Sequence, residues 1–184
     1  MKYRFIVLER ISGSGKSTIA KILAERMGAF LYKAPMPEVF AGIRESVDRE
    51  ACIEARYLFY LAVCYQASKE ISELLKKADV VSDRYVLTTF CYFRALSCSL
   101  CVDESVYFGM VKPDFVFLII CDPKEALKRA RKRGITFTDD EEERLHLQER
   151  LLSKYRRYPV IEIDNSFEQE KAVEAILSLV GEAR

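Results

Sequence analysis

The chain has 184 residues, enough for one domain that buries its own core. Half of the residues are apolar, which excludes a disordered chain. The 29 basic and 28 acidic residues are interspersed and leave a net charge of +1, so no electrostatic case exists for nucleic acid as a partner.

The longest apolar stretches, such as 115–121, are too short to cross a bilayer. The start of the chain lacks the small-residue cleavage site of a leader, and the expected location is the cytoplasm. Six cysteines are scattered along the chain. Only Cys98 and Cys101 have metal-type spacing, and the single histidine, His146, lies far away in sequence. The expectation is buried free thiols rather than a zinc or redox site.

The first predicted element is a strand over residues 3–9, followed by Arg10-Ile11-Ser12-Gly13-Ser14-Gly15-Lys16-Ser17-Thr18 and a helix over 16–27 closed by Gly28. A glycine-rich turn between a strand and a helix cradles phosphate. Its amides can wrap an anion that a Cβ at Gly13 or Gly15 would hinder, and the helix points its positive end at the charge. Lys16 is placed for the outer phosphates and the Ser17 hydroxyl for Mg²⁺. The pattern asks for glycine at its first position, where this chain has Arg10.

A short strand over 29–33 follows, then a loop punctuated by Pro35 and Pro37, a short helix over 38–48 and one long helix over 49–77. Residues 80–83 form an apolar strand closed by Asp83, with Arg84 next. Helices are expected near 86–98 and 103–110, a strand over 115–121, and a helix from Asp122-Pro123 to Arg133. A polar loop over 134–140, a helix over 141–157, a strand over 160–163 and a helix over 168–180 complete the chain.

Continuously apolar strands alternating with helices predict an α/β fold: a doubly wound parallel sheet of about five strands with helices on both faces, in a single domain spanning 1–184. Ligands in such sheets sit beyond the carboxyl ends of the strands. Glu9, the phosphate loop, Lys33, Asp83-Arg84 and Asp122 all follow strand ends and converge on one rim. Asp83 can hold Mg²⁺ opposite Ser17, and Arg84 offers a fork for a phosphate. The basic run Lys128, Arg129, Arg131, Lys132 and Arg133 borders a polar loop, where a lid of about 129–142 would close over a moving phosphoryl group.

These motifs together resemble the thymidylate kinase family of P-loop nucleoside monophosphate kinases. They are Glu9 with Gly13 to Thr18; Asp83-Arg84-Tyr85 followed by Thr88 and Tyr92; Lys112-Pro113-Asp114 before an apolar strand; Asp122-Pro123 with the basic lid; and the Leu151 to Tyr158 helix before the last strand. The resemblance implies ATP and Mg²⁺ and a small-molecule nucleotide acceptor, dTMP converted to dTDP, with no nucleic-acid or membrane partner and a possible homodimer. It implies that Ser12, Gly13, Ser14, Gly15, Lys16, Ser17 and Thr18 hold the donor phosphates and that Ser17 and Asp83 serve the metal. Glu9, Arg44, Phe59, Arg84 and Tyr92 would meet the acceptor, with Phe59 stacked on its base. The catalytic set would be Lys16, Asp83 and Arg84 with Arg129 and Arg133 from the lid.

Departures from the family fall on the acceptor side. The loop aspartate is Ser12, the base-reading arginine aligns with Val63, and the alanine and glutamine flanking Tyr92 are Cys91 and Phe93. Two other readings therefore stand beside the first. One is a deoxynucleoside kinase with Glu9 as general base; the other is a nucleotide-binding module with weakened catalysis.

Overall fold

A computed structural model describes residues 3–10, 16–33, 38–100, 102–122, 125, 141–166 and 168–182; for 10, 16, 38, 41 and 141–145 it describes backbone only. The strands are β1 (Phe5–Arg10), β2 (Phe30–Lys33), β3 (Val80–Asp83), β4 (Phe115–Ile120) and β5 (Ile161–Asp164). They form one sheet in the order β2-β3-β1-β4-β5, with every pairing parallel. The helices are α1 (Lys16–Met27), α2 (Glu38–Ala41), α3 (Arg44–Glu50), α4 (Ile53–Leu74), α5 (Val86–Ala95), α6 (Glu141–Tyr155) and α7 (Gln169–Glu182), with a 3₁₀ helix over Glu104–Gly109. This is the expected doubly wound α/β architecture.

Alternation along β1 divides the core. Ile6 and Leu8 face a layer in which Ile19 and Leu23 of α1 pack with Val173 and Ile176 of α7. Phe5 and Val7 face the opposite layer, built from Tyr57, Leu61 and Ile71 of α4 and Phe90 and Phe93 of α5. Both faces are covered, which is why the strands read as unbroken apolar runs. The N-terminal edge is pinned by carboxylates. Asp79 accepts from the Arg4 backbone N–H at 2.7 Å and from its guanidinium, and Asp114 accepts from the Phe5 N–H at 2.8 Å. The Asp of the Lys112-Pro113-Asp114 motif thus registers β4 against β1, at the edge opposite the rim.

Helix α1 ends as the sequence predicts. Gly28 takes φ +62, a left-handed value that glycine adopts freely, and the Ala29 N–H reaches back to the Ala24 carbonyl at 2.9 Å. Two predicted helices divide differently. The 38–48 segment splits at Gly42 and Ile43 into α2 and α3. The 49–77 helix breaks at Ala51 and Cys52, both extended, and begins only at Ile53. The chain reverses there because α3 folds back on α4: Asp48 accepts a hydrogen bond from the Tyr60 hydroxyl at 2.9 Å. No residue of α3 is buried, so periodicity had no apolar stripe by which to mark the break.

Burial leaves a pH signature. The Cys64 thiol and the Tyr85 phenol are each pushed up to about 12, mainly by desolvation. In the unfolded chain they ionise near about 8.5 and 10. The folded state therefore holds more protons between about pH 9 and 12, and its stability falls as pH rises through that window. We expect a lower melting temperature at pH 10 than at pH 8. A constant or rising value would contradict the burial of these groups.

Candidate active site

The sheet order places β1 at the centre with β3 and β4 on either side, so the segments after β1 and β3 leave the same rim side by side. Leu8 pairs with Asp83, and the Arg84 N–H continues the ladder to the Leu8 carbonyl at 3.0 Å. α1 starts at Lys16 with no acidic residue in its first turn, so its positive end is not neutralised from within. Ser17 and Thr18 are exposed there. The predicted donor residues Ser12, Gly13, Ser14 and Gly15, the Lys16 side chain, and the lid arginines Arg129 and Arg133 lie outside the described residues.

Arg84 has φ +76, a backbone state that side chains other than glycine seldom adopt. Such strain costs on the order of 1–3 kcal/mol and persists where the surroundings enforce it. The enforcing contacts are the ladder bond to Leu8 and a hydrogen bond donated by the Ser82 hydroxyl to the Arg84 carbonyl. The turn directs the chain from β3 into α5 and sets Arg84 on the wall of an open cavity of about 580 Å³. Asp83, only 8% exposed, shares that wall with Arg44, Arg56, Tyr60, Thr88, Tyr92 and Phe93.

The cavity thus unites four predicted site residues: Asp83, Arg84, Arg44 and Tyr92. Arg44 is held in place, since its Nε donates to Asp48 at 3.3 Å and to the Tyr60 hydroxyl at 3.2 Å. Burial together with the Asp48 carboxylate raises the Tyr60 phenol, which stays a neutral hydroxyl at physiological pH.

Two predicted acceptor contacts are placed elsewhere. Glu9 does not line the cavity: it is fully buried. Its carboxylate accepts from the Tyr85 N–H at 3.1 Å, the Thr88 N–H at 3.3 Å, the Thr88 hydroxyl, and the Tyr155 hydroxyl at 3.2 Å. One side chain of β1 therefore ties the first turn of α5 to the end of α6. Burial, with the Glu9 carboxylate adding to it, holds the Tyr155 phenol protonated and so a donor. Phe59 is also off the cavity wall. It packs edge-on against Phe40 at 5.7 Å and Tyr60 at 5.4 Å, and the ring that faces the cavity is Tyr60. One residue of helix is a 100° turn, which suffices to exchange the two rings between inner and outer faces.

Sequence reasoning missed Asp48, Arg56, Tyr60 and Tyr155. The spacing of Arg44 to Asp48 and of Arg56 to Tyr60, four residues in each case, was the available signal.

A model of the family described as thymidylate kinase matches residues 8–176. The chain belongs to the thymidylate kinase family. It is thereby a nucleoside monophosphate kinase, and its substrates are small-molecule nucleotides. Among its relatives in the family, a protein of Methanocaldococcus jannaschii named probable thymidylate kinase is 34% identical over 175 residues, covering 94% of this chain and 90% of that one. A probable thymidylate kinase of Thermococcus kodakarensis is 30% identical over 92% of each chain. Among solved structures, thymidylate kinase from Candida albicans superposes with a TM-score of 0.74 at 18% identity, over 99% of this chain and 92% of that one. Deoxyadenosine kinase from M. mycoides does so with a TM-score of 0.70, also at 18% identity, over 97% and 99%. Both structural likenesses speak to the fold. Among the described residues, no helix is long and apolar enough to cross a membrane.

Proposed function

We propose that this chain transfers the γ-phosphoryl group of MgATP to a deoxynucleoside monophosphate, with dTMP as acceptor. The observation that carries the proposal is the cavity beside the rim, where Asp83 and Arg84 stand one strand away from the start of the phosphate loop. In this reading Ser12 to Thr18 hold the donor phosphates and Lys16 neutralises the outer ones. Arg84 and Arg44 bind the acceptor's phosphate, Tyr92 borders its sugar and base, and Arg129 and Arg133 close over the transfer.

The residues suit a magnesium ion. Among the described residues no cluster of three ligating side chains exists, yet one carboxylate, Asp83, faces the cavity and one hydroxyl, Ser17, is exposed at the start of α1. Mg²⁺ bound mainly by substrate phosphates and water needs no more from the protein. When bound it draws charge from the phosphate oxygens. The chain's own part is to align the acceptor oxygen with the γ-phosphorus, so that the new P–O bond forms as the bond to ADP breaks, and to exclude water.

The burial of Glu9 favours a monophosphate over a nucleoside acceptor. A nucleoside kinase would need that carboxylate as a base at the sugar hydroxyl, and here it is enclosed among amide and hydroxyl donors. A homodimer through the outer face of α4, where Leu58 is 54% and Tyr65 39% exposed, belongs to the same proposal.

Initial rates of ADP release across a panel of nucleosides and monophosphates test the reading. Turnover with dTMP supports it; turnover with nucleosides alone, or with none of the panel, refutes it. Arg84→Ala should lower kcat/KM for the acceptor by about 100-fold with KM for ATP little changed. An unaltered kcat/KM for dTMP would remove Arg84 from the site.

A further inference from the structure

A third arginine, Arg56, lines the cavity, and it has no described partner. Arg56 lies in the first turn of α4, on the face that carries Tyr60 one turn later. Its Nε is shut off from solvent and makes no hydrogen bond, and its guanidinium forms no ion pair with any described residue. Neighbouring arginines are satisfied: Arg44 by Asp48 and Tyr60, Arg94 by Glu104. That Nε is as closed to a ligand as to water, so what Arg56 offers a ligand is the rest of its guanidinium, on the side chain that lines the cavity wall.

The packing of α4 on α5 says which part of a ligand would meet it. The two helices run in opposite directions. Tyr57 stacks on Phe93 with ring centroids 4.7 Å apart, while Cys64 meets Thr89 at 3.5 Å. The start of α4 thus lies against the end of α5, whereas the start of α5 adjoins Asp83 and Arg84 at the rim. From Tyr85 to Phe93 the helix advances about 12 Å. Arg84 and Arg56 therefore mark opposite ends of the cavity, separated by about the length of a mononucleotide. With the acceptor's phosphate at Arg84, its base reaches the Arg56 end, between the rings of Tyr60, Tyr92 and Phe93.

From this geometry we infer that Arg56 is a specificity-determining residue, reading the base of the acceptor through the keto oxygen at C4 of a pyrimidine or C6 of guanine. The inference rests on the monophosphate kinase reading above. A guanidinium offers donors only. It matches the carbonyl oxygen that thymine and uracil carry at C4 and guanine at C6, and opposes the amine that cytosine and adenine carry there, donor against donor.

The test compares dUMP with dCMP, which differ at C4 by a keto oxygen against an amine, together with dTMP. Calorimetric titration and initial rates at saturating MgATP are measured on the intact chain and on its R56A and R56K variants, with thermal melts alongside. R56A should weaken dTMP and dUMP by about 10-fold or more in Kd and KM. The values for dCMP, kcat with dTMP and the melting temperature should stay near those of the parent chain, and R56K should recover only part of the loss. Equal weakening of all three ligands would make Arg56 a contact to a group they share, such as the phosphate, the sugar or the C2 carbonyl. An unchanged Kd for every ligand would make it a packing residue. Either result overturns the inference. If the parent chain phosphorylates no monophosphate, the kinase reading falls by itself, and the calorimetric difference between dUMP and dCMP still decides the role of Arg56.

Discussion

Replacing Lys16 with alanine should lower kcat by about 10³-fold while leaving the melting temperature within about 1 °C of the parent value. The size of the loss follows from how phosphoryl transfer is catalysed. Charge spreads over the oxygens of the moving group, and the protein contributes position and positive charge rather than covalent chemistry. Lys16 is the first residue of α1, whose opening turn carries no acidic side chain, so in the proposed function the ammonium and the helix end would act on the same anion. The fold does not depend on it: the helix is anchored by Ile19, Ala20 and Leu23, all fully buried. Steady-state rates and a thermal melt check both halves. Near-normal turnover would remove Lys16 from the chemistry, and a large fall in melting temperature would make it a structural residue.

Glu9→Ala should reduce stability by about 3 kcal/mol, equivalent to a fall of roughly 10 °C in melting temperature for a chain of this size. The substitution takes the accepting carboxylate away from two backbone amides and the Thr88 hydroxyl, which then face a void, while the Tyr155 hydroxyl keeps only Thr88 Oγ1, at 3.2 Å. Turnover should fall as well, because the same carboxylate fixes the turn in which Arg84 is held at φ +76. Its part is to position Arg84, not to touch the acceptor. KM for dTMP should therefore rise along with the loss of stability, while the pH dependence of kcat keeps its shape. A variant that melts normally but loses its acidic-limb pKa would restore Glu9 as a proton acceptor.

The fold was legible because its signals are periodic. Val80-Val81 and Phe115 to Ile120 are apolar without interruption, as strands covered on both faces must be, and Gly28 stops α1 where its conformation requires. Asp83 and Arg84 were singled out at a strand end, Arg44 and Tyr92 through the family resemblance, and one cavity is lined by all four.

The remaining features depend on contacts between elements. Whether Phe59 or its neighbour Tyr60 faces the cavity is decided by the rotation of α4 on α5, which Tyr57 and Phe93 set by stacking. Glu9 looked like a rim carboxylate because it follows an apolar strand. Its burial is fixed by Tyr155, which lies 146 residues away in sequence and arrives on another helix. Arg56 belonged to no motif, and its spacing of four from Tyr60 was the only sequence signal it carried. Its interest lies in having no described partner, a property visible only once every other group has been placed.

The central claim is that the rim holds a nucleoside triphosphate and a nucleoside monophosphate side by side for direct transfer. Incubation of the chain with magnesium, γ-³²P-labelled ATP and dTMP, with separation of the products, tests it most directly. The account predicts label in dTDP, formed mole for mole with ADP. Label appearing only as inorganic phosphate, or reaching a nucleoside while the monophosphate is left untouched, would contradict it.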